Sequence, residues 1–209
     1  MFNKIISSLC VIALTTFSFV VMADVPANWQ TYTNTACGYT IKYPPGGVLG
    51  GSGAGFRKGF YLDPVQFVDN LAAQKVASYD PECTAKISLP IVSTNSNLDG
   101  KYLILLTLDN APKKWPPPFA LAPEEKGELV LVGNRQFYKL RDTGAGMCHE
   151  YNYTYYFTKD KNKYYVGLFL LTAHCPGVKG NNEKAYDLYS ESKDFNQIIS
   201  SFNILNKAS

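Results

Sequence analysis

The residues able to do chemistry are few, and most of them stand in adjacent pairs. The chain of 209 residues has five cysteines and two histidines. Each histidine neighbours a cysteine, as Cys148-His149 and His174-Cys175. Two imidazoles brought together across a pair of strands could hold Zn²⁺ or Cu²⁺, with Glu150 or Asp142 supplying oxygen. Glu150 follows His149 directly, so strand alternation turns it to the other face, and no third ligand is in evidence. The plainer reading is two partly exposed histidines flanking a disulfide. No CxxC spacing lowers a thiol pKa, which argues against a redox role. No Ser-His-Asp, Cys-His or Gly-x-Ser-x-Gly arrangement is present, so no catalytic residue is nominated and no cofactor is expected beyond a metal at the histidines.

The cysteines also give an address. Lys4 precedes an apolar run from Ile5 to Val21, and Val21-Met22-Ala23 places small residues where a signal peptidase cuts. Residues 1–23 therefore read as a signal peptide, with Cys10 leaving in it, and the exported remainder begins at Asp24. Cys37, Cys83, Cys148 and Cys175 are then an even set in an oxidising compartment, which reads as two disulfides with three connectivities open. The expected location is periplasmic or secreted. A net charge of +3 with scattered basic residues gives no footprint for nucleic acid or stable membrane insertion. Fifteen tyrosines and twelve phenylalanines with only 18% charged residues favour sheet.

The elements that must position these residues follow from pattern. Trp29 to Thr33 and Tyr39 to Tyr43 alternate as a hairpin stopped by Pro44-Pro45. Gly46 to Gly55 (GGVLGGSGAG) reads as a surface loop, since it lacks the Lys-Ser/Thr pair of a phosphate-binding loop. A strand over Phe56 to Leu62 precedes Asp63-Pro64, which looks like a helix start, with Val65, Val68, Leu71, Ala72 and Val76 at helical spacing. Strands are expected over Thr84 to Leu89, Tyr102 to Leu108, Glu128 to Val132, Gln136 to Arg141, His149 to Phe157 and Tyr164 to Ala173. Asp194 and Gln197 form a capping box before the stripe Phe195, Ile198, Ile199 and Phe202, and a short last strand follows.

A hairpin turn at Lys159 to Lys163 sets the register of the last two long strands. It brings Cys148 beside Cys175 and His149 opposite His174, which leaves Cys37 to pair with Cys83. Tyr151, Tyr153, Tyr155 and Phe157 then share one strand face. Such a row can stack on sugar rings, but a packed helix is the commoner use. Trp115 in the KKWPPPF loop, with Lys113, Lys114 and Phe119, is the candidate partner surface, because prolines pre-extend a segment and a central aromatic often dominates an interface.

Three segments carry a resemblance. WQTYTNTACGYTIKYP (Trp29 to Pro44), DFNQIISSFNIL (Asp194 to Leu205) and the central GNRQFYKLRDTGAGMCHEYNYTYYF (Gly133 to Phe157), with Gly-Ala-Gly as a turn, resemble the PsbP-like family of exported proteins. The resemblance implies one α+β domain over residues 24–209, a central antiparallel sheet with helices packed on its faces in an α/β/α sandwich. It brings no catalytic residues. The expectation is an exported, non-catalytic accessory protein that binds a protein or envelope component. The alternative is a secreted metal-binding protein or metal-dependent enzyme using His149 and His174.

Overall fold

The computed structural model describes residues 24–52, 78–79, 81–109, 127–146, 148–177 and 182–205. The signal peptide expected over residues 1–23, the helix expected after Asp63, the strand expected over residues 56–62 and the loop with Lys113, Lys114, Trp115 and Phe119 lie outside them. Strands dominate. A small sheet has the order β1 (Gln30–Asn34), β2 (Tyr39–Tyr43) and β11 (Asn203–Ile204). The larger sheet runs β3 (Val48–Ser52), β5 (Ala85–Ser88), β6 (Leu98–Asp109), β10 (Lys163–His174), β9 (His149–Asp160), β8 (Arg135–Gly146) and β7 (Glu128–Val132), and β4 (Ser78–Tyr79) also pairs with β6. All neighbouring strands are antiparallel. Four strands of twelve residues, β6, β8, β9 and β10, form the centre.

This corrects the expected α+β sandwich. The helices among the described residues are α1 (Leu188–Ser192) and α2 (Phe195–Ser200), of five and six residues. One face of the large sheet is covered by the small sheet and α2 together: Tyr39, Ile41, Leu103, Leu105, Phe169, Phe195, Ile198 and Ile199 belong to one buried cluster. The physical reason lies in length. The helix that carries the stripe, Phe195–Ser200, spans under two turns, too short to cover a sheet of twelve-residue strands. A second buried cluster, including Ile104, Leu106, Tyr155, Phe157, Val166 and Leu168, occupies the other face of the same strands.

Close approach explains one glycine. A Cβ on Gly167 of β10 would stand 2.8 Å from Ile199 Cδ1, so the bare backbone lets α2 settle on the sheet. Phe195 stacks on Phe169 there, with ring centroids 4.0 Å apart. The capping box does not form. Asp194 makes no side-chain cap; its carboxylate takes Lys101 instead, and the Gln197 amide donates to the Asp24 carbonyl at 2.8 Å.

Part of a loop expected from composition, and a turn implied by the resemblance, are strand. Residues 48–52 of the glycine segment pair with β5, with an irregularity between Leu49 and Gly51. Ladder bonds use only the backbone, so glycine composition does not forbid them. Gly144-Ala145-Gly146 likewise continues β8 rather than turning, pairing with Tyr151, Glu150 and His149. The reversal comes later, where Cys148 adopts a φ of 65°.

Candidate functional site

The site is built at one end of the β9–β10 hairpin. Its register runs from Lys163 opposite Asp160 to His174 opposite His149 without a slip. Just beyond, Cys148 and Cys175 are disulfide-bonded with Cα atoms 5.2 Å apart, and the Cys175 N–H donates to the Cys148 carbonyl. The other disulfide joins Cys37 to Cys83, tying the small sheet to the 3₁₀ turn Pro81–Cys83 ahead of β5. Polar groups close around it. Tyr39 Oη donates to the Cys83 carbonyl at 3.1 Å, and Asn34 Oδ1 accepts from the Cys37 N–H at 2.9 Å. Burial pushes the Tyr39 phenol far above its ordinary range.

The structure brings the two histidines opposite each other but gives them different work. His174 is 5% exposed, and both ring nitrogens are taken. Nδ1 lies 3.0 Å from Asp99 Oδ1 and Nε2 lies 2.8 Å from Glu183 Oε2. Asp99 reaches the ring because Thr172 pairs with Gly100 and Ala173 with Leu98, which leaves Asp99 as the extra residue of a β-bulge. The Glu183 hydrogen bond, opposed by desolvation and helped by Asp99, holds the His174 imidazolium above its ordinary range. A ring that donates at both nitrogens is an imidazolium and has no lone pair for a metal. The His149 ring stacks on Tyr151 at 6.3 Å. Among the described residues, no group of three or more His, Cys, Asp or Glu is arranged to hold a metal ion. The two His174 nitrogens thus face Asp99 and Glu183, while the His149 ring lies against Tyr151.

Around His174 stands a polar frame that the sequence did not announce. Asn97 Nδ2 donates to the His174 carbonyl at 2.6 Å, and the His174 N–H donates to the Asn97 carbonyl at 3.0 Å. Asn97 Oδ1 accepts from the Tyr186 N–H at 2.9 Å, and the Asn97 N–H donates to the Lys184 carbonyl. The Tyr186 hydroxyl and the Asn152 amide are hydrogen-bonded in turn. Residues 182–186 are thereby strapped across the ends of β6, β10 and β9. Further along, buried Lys101 bonds Asp194 at 3.1 Å and lies 3.7 Å from buried Glu191. Burial pushes the Glu191 carboxyl up, but bonds from Ser93, the Val92 N–H and the Lys101 charge together hold it below its ordinary range.

The chemistry left at this end is aromatic. His149, Tyr151, Tyr153, Tyr155 and Phe157 form one row along β9, with successive ring centroids 6.0–6.5 Å apart. Phe157 and Tyr155 are buried, Tyr153 and Tyr151 half-buried, His149 exposed. On β8, the partners of Tyr151 and His149 are Gly144 and Gly146. Among the described residues, a Cβ on Gly146 would meet nothing within 4 Å, whereas one on Gly144 would meet the Tyr153 and Tyr151 rings at 3.5–3.8 Å, so the flank of the row is an open lane at its Gly146 end. Asp142, opposite Tyr153, lies at its inner end. Burial first, and the Asp142 charge next, push the Tyr153 phenol up. The row can offer π-surface and a polar edge to a ligand. Strand alternation disclosed it; the lane needed the knowledge that Gly144 and Gly146 are in a strand.

No known family model and no curated protein matches the chain. Three solved chains match. One, from Bacteroides thetaiotaomicron VPI-5482, is 10% identical over 86% of this chain and 49% of its own, with a TM-score of 0.45. This chain spans about half the length of that structure. The two disulfides belong to an extracytoplasmic chemistry, because such bonds persist in oxidising compartments. Among the described residues, no helix is long and apolar enough to cross a membrane.

Proposed function

We propose that this is an exported accessory protein, periplasmic or secreted, that works by binding a protein or envelope component rather than by catalysis. Its contact surface is the open end of the β9 row, His149, Tyr151 and Tyr153. The observation that supports this is the gradient of the row itself, from fully covered Phe157 to exposed His149, beside two glycines. A purely structural ladder would be capped by side chains on the neighbouring strand. Here β8 sets glycines opposite Tyr151 and His149, and rigid tyrosines offer contact area at low entropic cost.

A photo-crosslinking residue placed at Tyr151 in the exporting cell tests the reading. It should yield a discrete adduct, whereas the same residue at Tyr189, 80% exposed on α1, should not. Adducts from Tyr189 alone would move the contact surface away from the row.

A further inference from the structure

The His174 clamp has a use beyond holding the fold. We propose that it is a pH-operated latch, which holds the Glu183 end of the 182–186 strap against β10 in mildly acidic surroundings and releases it as the pH rises. This does not rest on the aromatic row being the contact surface.

The argument starts from donor counting. Two carboxylate oxygens lie within 3.0 Å of the two ring nitrogens, and an ionised carboxylate only accepts. Both contacts are hydrogen bonds only while the ring carries two N–H groups. When the imidazolium gives its proton to water, one nitrogen keeps a lone pair that faces a carboxylate at 2.8–3.0 Å, and that contact becomes repulsive. The His174 side chain is 5% exposed, while Glu183 is 12% and Asp99 26% exposed, so solvent reaches the carboxylates and softens the change only in part.

The groups facing the ring can be named from each side. From β6 comes Asp99, and from the strap Glu183, with Lys184 next in the chain. From β9 the register neighbour is His149, whose ring lies on Tyr151. The two carboxylates are the charges that act on His174, and both favour its charged form.

The two sides of the clamp are not equally able to move. Asp99 is the bulge residue near the start of β6, and the residues on either side of it, Leu98 and Gly100, are held in the ladder by Ala173 and Thr172 of β10. Glu183 sits at the start of a strap whose other anchors are the Lys184 and Tyr186 backbone bonds to Asn95 and Asn97 and the Tyr186–Asn152 pair. Repulsion therefore acts on the strap, and first on the bond nearest Glu183, that of the Lys184 N–H to the Asn95 carbonyl. A folded-state pKa raised above the ordinary 6.5 means that the latch is fully made below that value and is lost as pH climbs through the raised one.

The test is NMR on the oxidised protein between pH 5 and 9. Imidazole ¹⁵N shifts should show His174 protonated at both nitrogens past the pH at which an ordinary histidine is neutral. Amide protection at Lys184 and Asn97, corrected for intrinsic exchange, should fall through the same midpoint. The fall should be about tenfold for each unit separating the closed and open pKa of His174. Glu183→Gln should lower the midpoint and flatten the protection profile, because an amide can donate to a neutral ring nitrogen. Should that variant misfold, Asp99→Asn carries the same expectation for the midpoint. Protection that stays flat while His174 titrates, or that falls unchanged in Glu183→Gln, would overturn the latch.

Discussion

Lys101 shows how a single residue can hold a protein's architecture in place. It lies on a strand whose sequence, YLILLTL from Tyr102, reads as buried on both faces, and its ammonium is fully buried with it. It contacts Asp194 and Glu191, the residues that begin α2 and lie in α1, and so pins the C-terminal segment to the sheet. Breaking a buried pair by removing one partner is expected to cost about 3–5 kcal/mol, because the remaining charge stays buried. Lys101→Met should show that loss in urea unfolding, and adding Asp194→Asn should recover part of it. An unchanged midpoint for Lys101→Met would mean that the cluster is solvated. Glu191 gives a pH limb of the opposite sense to His174. Its carboxyl is held below the ordinary 4.5, so its contribution is present above that value and lost as pH falls through the lower one. Glu191→Gln should therefore flatten the acid side of the stability profile and leave the alkaline side intact, read as melting temperature against pH. This cluster was not legible in sequence, where Asp194 reads as a helix cap. Buried charge has no period, and its partners stand about ninety residues away. The two histidines were legible because each follows its strand's count.

At the scale of elements, register was the most readable quantity. One turn at Lys161 fixed the pairing of Cys148 with Cys175 and of His149 with His174, because a hairpin allows no independent slip. Turns themselves were read less well. Gly-Ala-Gly looks like a reversal, yet it is strand, because β8 continues along β9 until the chain reaches Cys148. The Asp194-to-Gln197 spacing looks like a capping box, yet Lys101 competes for the same carboxylate and wins with a charge. The disulfides carry the prediction that belongs here. They close loops with separations of 27 and 46 residues. Each is worth about 3–4 kcal/mol in the chain-entropy model. Removing Cys148–Cys175 by paired serine substitution should lower the urea midpoint accordingly and raise amide exchange at Ala173 and Glu150 before the rest of the sheet. Uniform exchange across both strands would show that this end does not open locally.

The whole molecule departs most from expectation, because short similar segments at both ends of a chain do not determine what covers a sheet. A small three-stranded sheet and one short helix lie where layered helices were expected. The consequence for function is that one hairpin end carries a disulfide, a clamped histidine and an aromatic row running out to solvent. The central claim is that this row is the contact surface, and Gly146→Leu tests it most directly. Gly146 has no positive φ, and an added Cβ meets nothing within 4 Å, so the fold should accept the leucine with an unchanged melting temperature. The same side chain would fill the lane beside His149 and Tyr151. The account predicts that the Tyr151 photo-adduct disappears in this otherwise stable variant; an adduct of undiminished yield would contradict it.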